Sequence, residues 1–160
     1  MRGIPAEQLD LFNRYIRGPA LIREAVRGMA FGAMNARRPG DDWSTRDIVI
    51  HLSDAELVEG VRLRRVLAEE RPALEAFDQD LWKRRLQTLW RDTDGAMASF
   101  ELVRWQTAEI LAHCDRAAWA REGVHAELGA VSAADLVRHA TEHAEQHAEQ
   151  IRLIREHLRS

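Results

Sequence analysis

His143 and His147 stand four residues apart in the run Leu136-Val-Arg-His-Ala-Thr-Glu-His-Ala-Glu-Gln-His-Ala-Glu-Gln-Ile151. Leu136, Ala140, His143, His147, Ile151, Ile154 and Leu158 follow one another by steps of three or four, the pattern of a helix that buries one stripe. Both imidazoles therefore fall in the apolar seam. An unpartnered polar ring in a core costs on the order of a few kcal/mol, so two of them one turn apart require a partner. A divalent cation meets that need. Residues at i and i+4 share a helix face with Cβ atoms about 6 Å apart, and both rings can reach one ion at about 2.0–2.1 Å.

Two histidines hold a metal weakly, and the leading third ligand is His51, which shares an apolar stripe with Ile48, Ala55 and Val58 on another helix. Three neutral imidazoles leave at least one coordination position for water or substrate, the layout of a catalytic site rather than a closed structural one. The donor set does not separate zinc, nickel, iron and manganese. A bound water would be acidified toward neutrality and a bound thiol held as thiolate. A di-iron carboxylate site would need Glu-x-x-His pairs on helices, and the spacing Glu122 to His125 falls in a predicted loop.

The remaining histidines read differently. His113 and His157 are expected in solvent. His139 extends the four-residue spacing upstream, but Ala140 fits the seam better, which makes His139 a structural or supporting residue. The single cysteine, Cys114, fits a reducing compartment and reads as a small buried side chain, so no internal nucleophile stands out and no catalytic residue is assigned.

The elements that must carry these residues are helices. Charged residues make up 31% of the 160-residue chain and aromatics 6%, with Ala, Leu, Glu and Arg abundant and strand signals absent. Helix 1 is expected to begin near Pro5 and continue past Leu9, Phe12, Ile16, Ile22, Val26 and Met29, kinked or split at Gly18-Pro19. A turn cluster at Arg37 to Asp42 precedes a capping box, Ser44-Thr-Arg-Asp47, that opens helix 2 and carries it to about Glu70. The stretch from Pro72 to about Arg91 reads as a crossover with some helix of its own. Helix 3 spans about Thr93 to Asp115, with Met97, Phe100, Val103, Thr107, Ile110 and Cys114 along one side. A loop at Gly123 to Gly129 and a second capping box, Ser132 to Asp135, lead into helix 4. The fold class is all-α: one domain, 1–160, a four-helix bundle with a long connection between helices 2 and 3 and its polar site between facing helices.

Charges of both signs are interleaved and the formal net charge is −3, so no basic face points to nucleic acid or anionic lipid, and a small molecule is the expected partner. No apolar run approaches a membrane span, and the N-terminus lacks the apolar stretch of a signal peptide, so the expected location is cytoplasmic.

Four fragments in this order resemble the DinB/YfiT-like superfamily of metal-binding four-helix bundles. They are Trp43-Ser-Thr-Arg-Asp-Ile-Val-Ile-His51-Leu-Ser-Asp-Ala-Glu56, Arg71-Pro-Ala-Leu-Glu-Ala-Phe-Asp-Gln-Asp-Leu-Trp82, Gly123-Val-His-Ala-Glu-Leu-Gly129, and His139 through Ile151. The resemblance implies one histidine from helix 2 and an H-x-x-x-H pair from helix 4 as metal ligands, which correspond to His51, His143 and His147. It further implies a homodimer, and transfer of a low-molecular-weight thiol of the bacillithiol or mycothiol class to an electrophilic small molecule. Two alternatives stand beside that expectation: a hydrolase using metal-bound water, and a non-catalytic binding module stabilised by its metal.

Around the three histidines, Asp54, Glu56 and Glu142 could orient imidazoles but read as surface carboxylates, and Arg104 as a snorkelling surface arginine. His125 and Asp80 lie in shared fragments without a predicted direction. Trp43, Trp82, Trp90, Trp105 and Trp119 are expected to pack, with Trp82 the one to look for near the metal.

Overall fold

The computed structural model describes residues 3–159. Four long helices form the bundle: α1 (Leu9–Val26), α3 (Thr45–Ala68), α5 (Thr93–Leu111) and α7 (Ala133–His157), which correspond to the four expected from the sequence. Short helices α2 (Phe31–Met34), α4 (Gln79–Arg85) and α6 (Arg116–Trp119) lie in the connections. α1 packs chiefly on α7 and α3 on α5, and α3 also meets α7, which brings the helix carrying His51 against the helix carrying His143 and His147.

The helix starts are set as the sequence reads. Ser44 Oγ accepts from the Asp47 backbone N–H while the Asp47 side chain takes the Ser44 N–H, and Ser132 and Asp135 repeat the arrangement at α7. These caps fix the rotational phase of both site-bearing helices.

The expected absence of strands is corrected. β1 (Ala73–Leu74), β2 (Glu122–His125) and β3 (Gly129–Ser132) form a small sheet in that order, β1 parallel to β2 and β2 antiparallel to β3. The segment expected as a loop at Gly123 to Gly129 is thus a hairpin, turning at Gly129 with φ +75°. Gly123 admits the close approach of β1, since a Cβ there would lie 3.0 Å from the Pro72 carbonyl oxygen and from Leu74 Cδ1. Opposite Leu74 in the register, β2 turns Gly123 and His125 inward, with His125 opposite Leu74 in the register.

Helix 1 is not split. It runs unbroken through Pro19, and the reason lies on α5. Pro19 has no N–H for the carbonyl of Tyr15 four residues back, and Arg104 Nη1 donates to that oxygen instead at 3.0 Å. Gly18 makes the room, because a Cβ on it would meet Arg104 Nη1 at 3.0 Å and Ala144 Cβ at 3.3 Å.

Arg104 is accordingly not a surface residue. It is 2% exposed, its Nε and Nη2 donate to the two oxygens of Glu56 at 2.8 and 2.6 Å, and its guanidinium lies over the rings of Tyr15 and Phe100. Glu56, 3% exposed, also accepts from the Tyr15 hydroxyl at 3.1 Å, so the expected surface carboxylate is a core ion-pair partner. This cluster joins the two halves of the core, one around Ile48, Phe100 and Ile151, the other around Leu63, Leu111 and Val137. The buried face of α5 runs through Met97, Phe100, Arg104, Thr107 and Leu111, while Ile110 is exposed and Cys114 only half-buried.

Candidate metal centre

The three histidines converge. His51 Nε2 lies 2.9 Å from His143 Nε2, which lies 3.0 Å from His147 Nε2, and the three ligand atoms fall within 4.8 Å of one another. Two nitrogens each about 2.0–2.1 Å from one ion and separated by 90° at the ion are about 2.9 Å apart, so two of the three edges match a shared first-row cation. The chemistry of the donors fits as well: three borderline-soft nitrogens suit zinc, nickel, iron or manganese.

The elements supply the convergence directly. His51 sits in the second turn of α3, whose start is fixed by the Ser44 cap, and is 5% exposed; His143 and His147 are half-buried one turn apart on α7. Gln150, one turn further on, has Oε1 2.9 Å from His147 Nδ1. With the proton on Nδ1 donated to Gln150, the lone pair of His147 is on Nε2, pointing at the other two rings. Gln150 was not among the residues expected to orient an imidazole, although its i+3 spacing from His147 is the signal that finds it.

Burial keeps the cluster uncharged. It lowers His51 to about 3, with the neighbouring His147 adding to the effect. His143 falls to about 2, again through burial first and then through His147, His51, His139 and Arg104. His147 is lowered too, by burial and against the Gln150 hydrogen bond. Neutral imidazoles with converging lone pairs are the protonation state that metal ligation requires.

Aromatic rings wall the centre. Trp43 meets the His51 ring edge-on at 4.8 Å and stacks toward His147 at 6.3 Å, and Phe77 lies parallel to His51 at 6.0 Å. Trp82 is one ring removed, packed edge-on against Phe77 at 4.9 Å. Of the tryptophans expected to pack, Trp119 is buried, whereas Trp90 and Trp105 are 81% and 59% exposed.

A cavity of about 320 Å³ opens beside the centre, lined by His51 and His143 together with Glu59, Arg62, His125 and His139 among others. His139 stacks on His143 with centroids 5.9 Å apart but stands at the exposed rim. His125, whose direction was open, is buried and faces the cavity from β2. Asp54 is held elsewhere by a two-point contact with Arg91, Glu142 and Asp80 are exposed, and His113 and His157 are at the surface as expected.

The model of the DinB superfamily matches residues 14–151. A Bacillus subtilis relative, YfiT, is 27% identical over 105 residues, which cover 64% of this chain and 59% of that protein. A Geobacillus thermodenitrificans relative is 26% identical over 91 residues, covering 56% of this chain and 51% of that protein. Both carry the provisional name of metal-dependent hydrolase, and the matches span less than two thirds of either relative's length. The solved structure of Bacillus subtilis YfiT, described as a four-helix bundle of unusual topology, superposes with a TM-score of 0.88 at 21% identity, covering 99% of this chain and 91% of that one. At that identity the likeness establishes the fold, and together with the match across most of its length it means that this chain belongs to the DinB superfamily.

Proposed function

We propose that His51, His143 and His147 bind one divalent first-row ion and that the protein is a metal-dependent enzyme acting on a small electrophilic molecule held in the adjoining cavity. The carrying observation is the convergence of three imidazoles beside that cavity, whose lining among the described residues includes no Ser, Cys or Lys side chain. With Cys114 near the far end of α5 and its thiol raised by burial, the nucleophile is supplied from outside the chain. A bound ion supplies Lewis acidity, which polarises an acyl oxygen and activates water or a thiol.

The chain's own residues do the rest. Gln150 holds His147 in the ligating tautomer, Trp43 and Phe77 brace His51 and exclude water from its flanks, and the α3 and α7 caps hold the helix phases on which the convergence depends. Hydrolysis is the leading reading, in line with the names of the two bacterial relatives. Transfer of a low-molecular-weight thiol is the second, favoured by the apolar rings beside the centre, which suit a soft sulfur nucleophile. Exposed apolar side chains on α3 (Leu57, Val61) and α5 (Leu102, Trp105) support the pairing of two copies.

Titration of the cobalt-loaded protein with small thiols separates the two chemistries. A strong sulfur charge-transfer band supports thiol transfer. An unaltered spectrum, with turnover of activated esters or amides, supports hydrolysis; failure to bind any divalent ion contradicts both.

A further inference from the structure

The cavity beside the three imidazoles holds polar groups that the convergence does not use. Glu59, on α3, and Arg62 are 9% and 8% exposed and form an ion pair, with Arg62 Nη1 2.6 Å from Glu59 Oε1. Arg62 Nη2 is also engaged, donating to the Glu75 carbonyl oxygen. Glu59 Oε2 is left buried without a hydrogen-bond donor, and Arg62 Nε without an acceptor. A buried polar atom without a partner costs about 1–3 kcal/mol, and such atoms in a native fold ask for an explanation. Both residues line the cavity, so a bound molecule can provide the missing partner.

The sign of the lining narrows what that molecule carries. Glu127 and Asp135 join Glu59 around the cavity, against one guanidinium whose charge Glu59 already meets. With the Glu59–Arg62 pair offsetting itself, Glu127 and the cap-engaged Asp135 leave the lining net negative, which disfavours an anionic substituent and attracts a cationic one. His125 adds a donor. The Glu127 backbone N–H donates to His125 Nδ1 at 3.2 Å, so the neutral ring carries its proton on Nε2.

We propose, building on the reading that the three imidazoles bind an ion, that the cavity takes a small acyl compound bearing a primary ammonium group. The ammonium donates to Glu59 Oε2, and His125 Nε2–H donates to an oxygen near the acyl group. Glu59 then selects for the amine, and His125 positions the part of the molecule that any substrate of this site shares.

Hydroxamates test this without relying on turnover, since they chelate divalent ions through two oxygens. Zinc-loaded protein is titrated calorimetrically with ω-amino alkyl hydroxamates of three to six carbons, each against an alkyl hydroxamate of equal length. At least one amine is expected to bind about tenfold more tightly than its alkyl counterpart. Glu59→Gln should bring that ratio to within about twofold while alkyl affinity and metal content hold, and His125→Phe should weaken both series alike. Equal binding of the two series to the wild-type protein, or a preference that survives Glu59→Gln, overturns the proposal and leaves the metal reading intact. An unaltered affinity in His125→Phe removes His125 from it. No binding by either series to protein that holds its zinc also overturns the proposal, and failure of the protein to load zinc overturns the metal reading as well. Should Glu59→Gln not fold, the crystal structure of the wild-type amine complex decides: the ammonium nitrogen lies at hydrogen-bond distance from Glu59 Oε2, or the proposal fails.

Discussion

His51 and His143 are 92 residues apart in the chain, yet their Nε2 atoms lie 2.9 Å from one another. Two neutral rings at that distance share at most one proton between those nitrogens. The packing of α3 on α7 holds them in an arrangement that, in the proposed function, an ion completes with both lone pairs.

In the proposed metal role, the Gln150 contact makes His147 a better ligand than its position alone would. Gln150→Leu removes the acceptor for His147 Nδ1–H and frees the ring to rotate and change tautomer. Metal affinity is expected to fall about 10–100-fold with the melting temperature of the metal-free protein nearly unchanged. Competition with a chromophoric chelator measures it; unaltered affinity would remove Gln150 from the site.

Glu56→Ala strands Arg104 in the core. The guanidinium would keep its contacts with the Tyr15 and Ala140 carbonyls but lose its counter-charge, and a loss of about 3–5 kcal/mol is expected. Chemical denaturation of the metal-free protein reads this directly. A loss below about 1 kcal/mol would mean that the pair does not bind the core halves together.

Gly18→Ala tests the socket beneath Pro19. The added methyl meets Arg104 Nη1 at 3.0 Å and Ala144 Cβ at 3.3 Å, so either Arg104 withdraws from the Tyr15 carbonyl or α1 moves off α7. The usual preference of helices for alanine over glycine is reversed here, with a net loss of about 1–3 kcal/mol. Stabilisation on denaturant titration would contradict this account of the unbroken helix.

The metal-free protein is expected to be acid-labile. His51 at about 3 and His143 at about 2 sit far below 6.5, the value of an exposed imidazole, because burial disfavours their charged forms; His147 is lowered in the same direction. Between those values and 6.5 the unfolded chain binds protons that the folded chain does not, so stability rises with pH across the window. Their contribution is complete above about pH 6.5 and is lost as pH falls, at up to about 1.4 kcal/mol per pH unit for each ring. Denaturation series at about pH 7, 6 and 5 should show that slope, and His143→Gln should lower it by about a third. An equal slope in the variant would show the acid response to come from other groups.

Much of this was legible in the sequence because it is local. The step of three and four through His143 and His147 fixes a helix face within a few turns, and Ser44 with Asp47, and Ser132 with Asp135, declare their helix starts within four residues. The sheet was not legible. β2 is four residues long, turns a glycine and a histidine inward, and pairs with Ala73 and Leu74 some fifty positions earlier, so no periodic apolar run marks it. Arg104 and Glu56 escaped because a charged residue inside a stripe reads as surface. The spacing Phe100, Arg104, Thr107, Leu111 did carry the signal, and Gly18-Pro19 held the complementary half of it on another helix.

Whether His51, His143 and His147 together hold one ion is read by elemental analysis of untagged protein purified without chelators, alongside His51→Ala, His143→Ala and His147→Ala. One equivalent of a first-row divalent metal per chain is expected in the wild type and marked loss in each variant. Full metal content in all three variants, or none in the wild type after incubation with zinc, nickel, iron and manganese, would contradict that shared site.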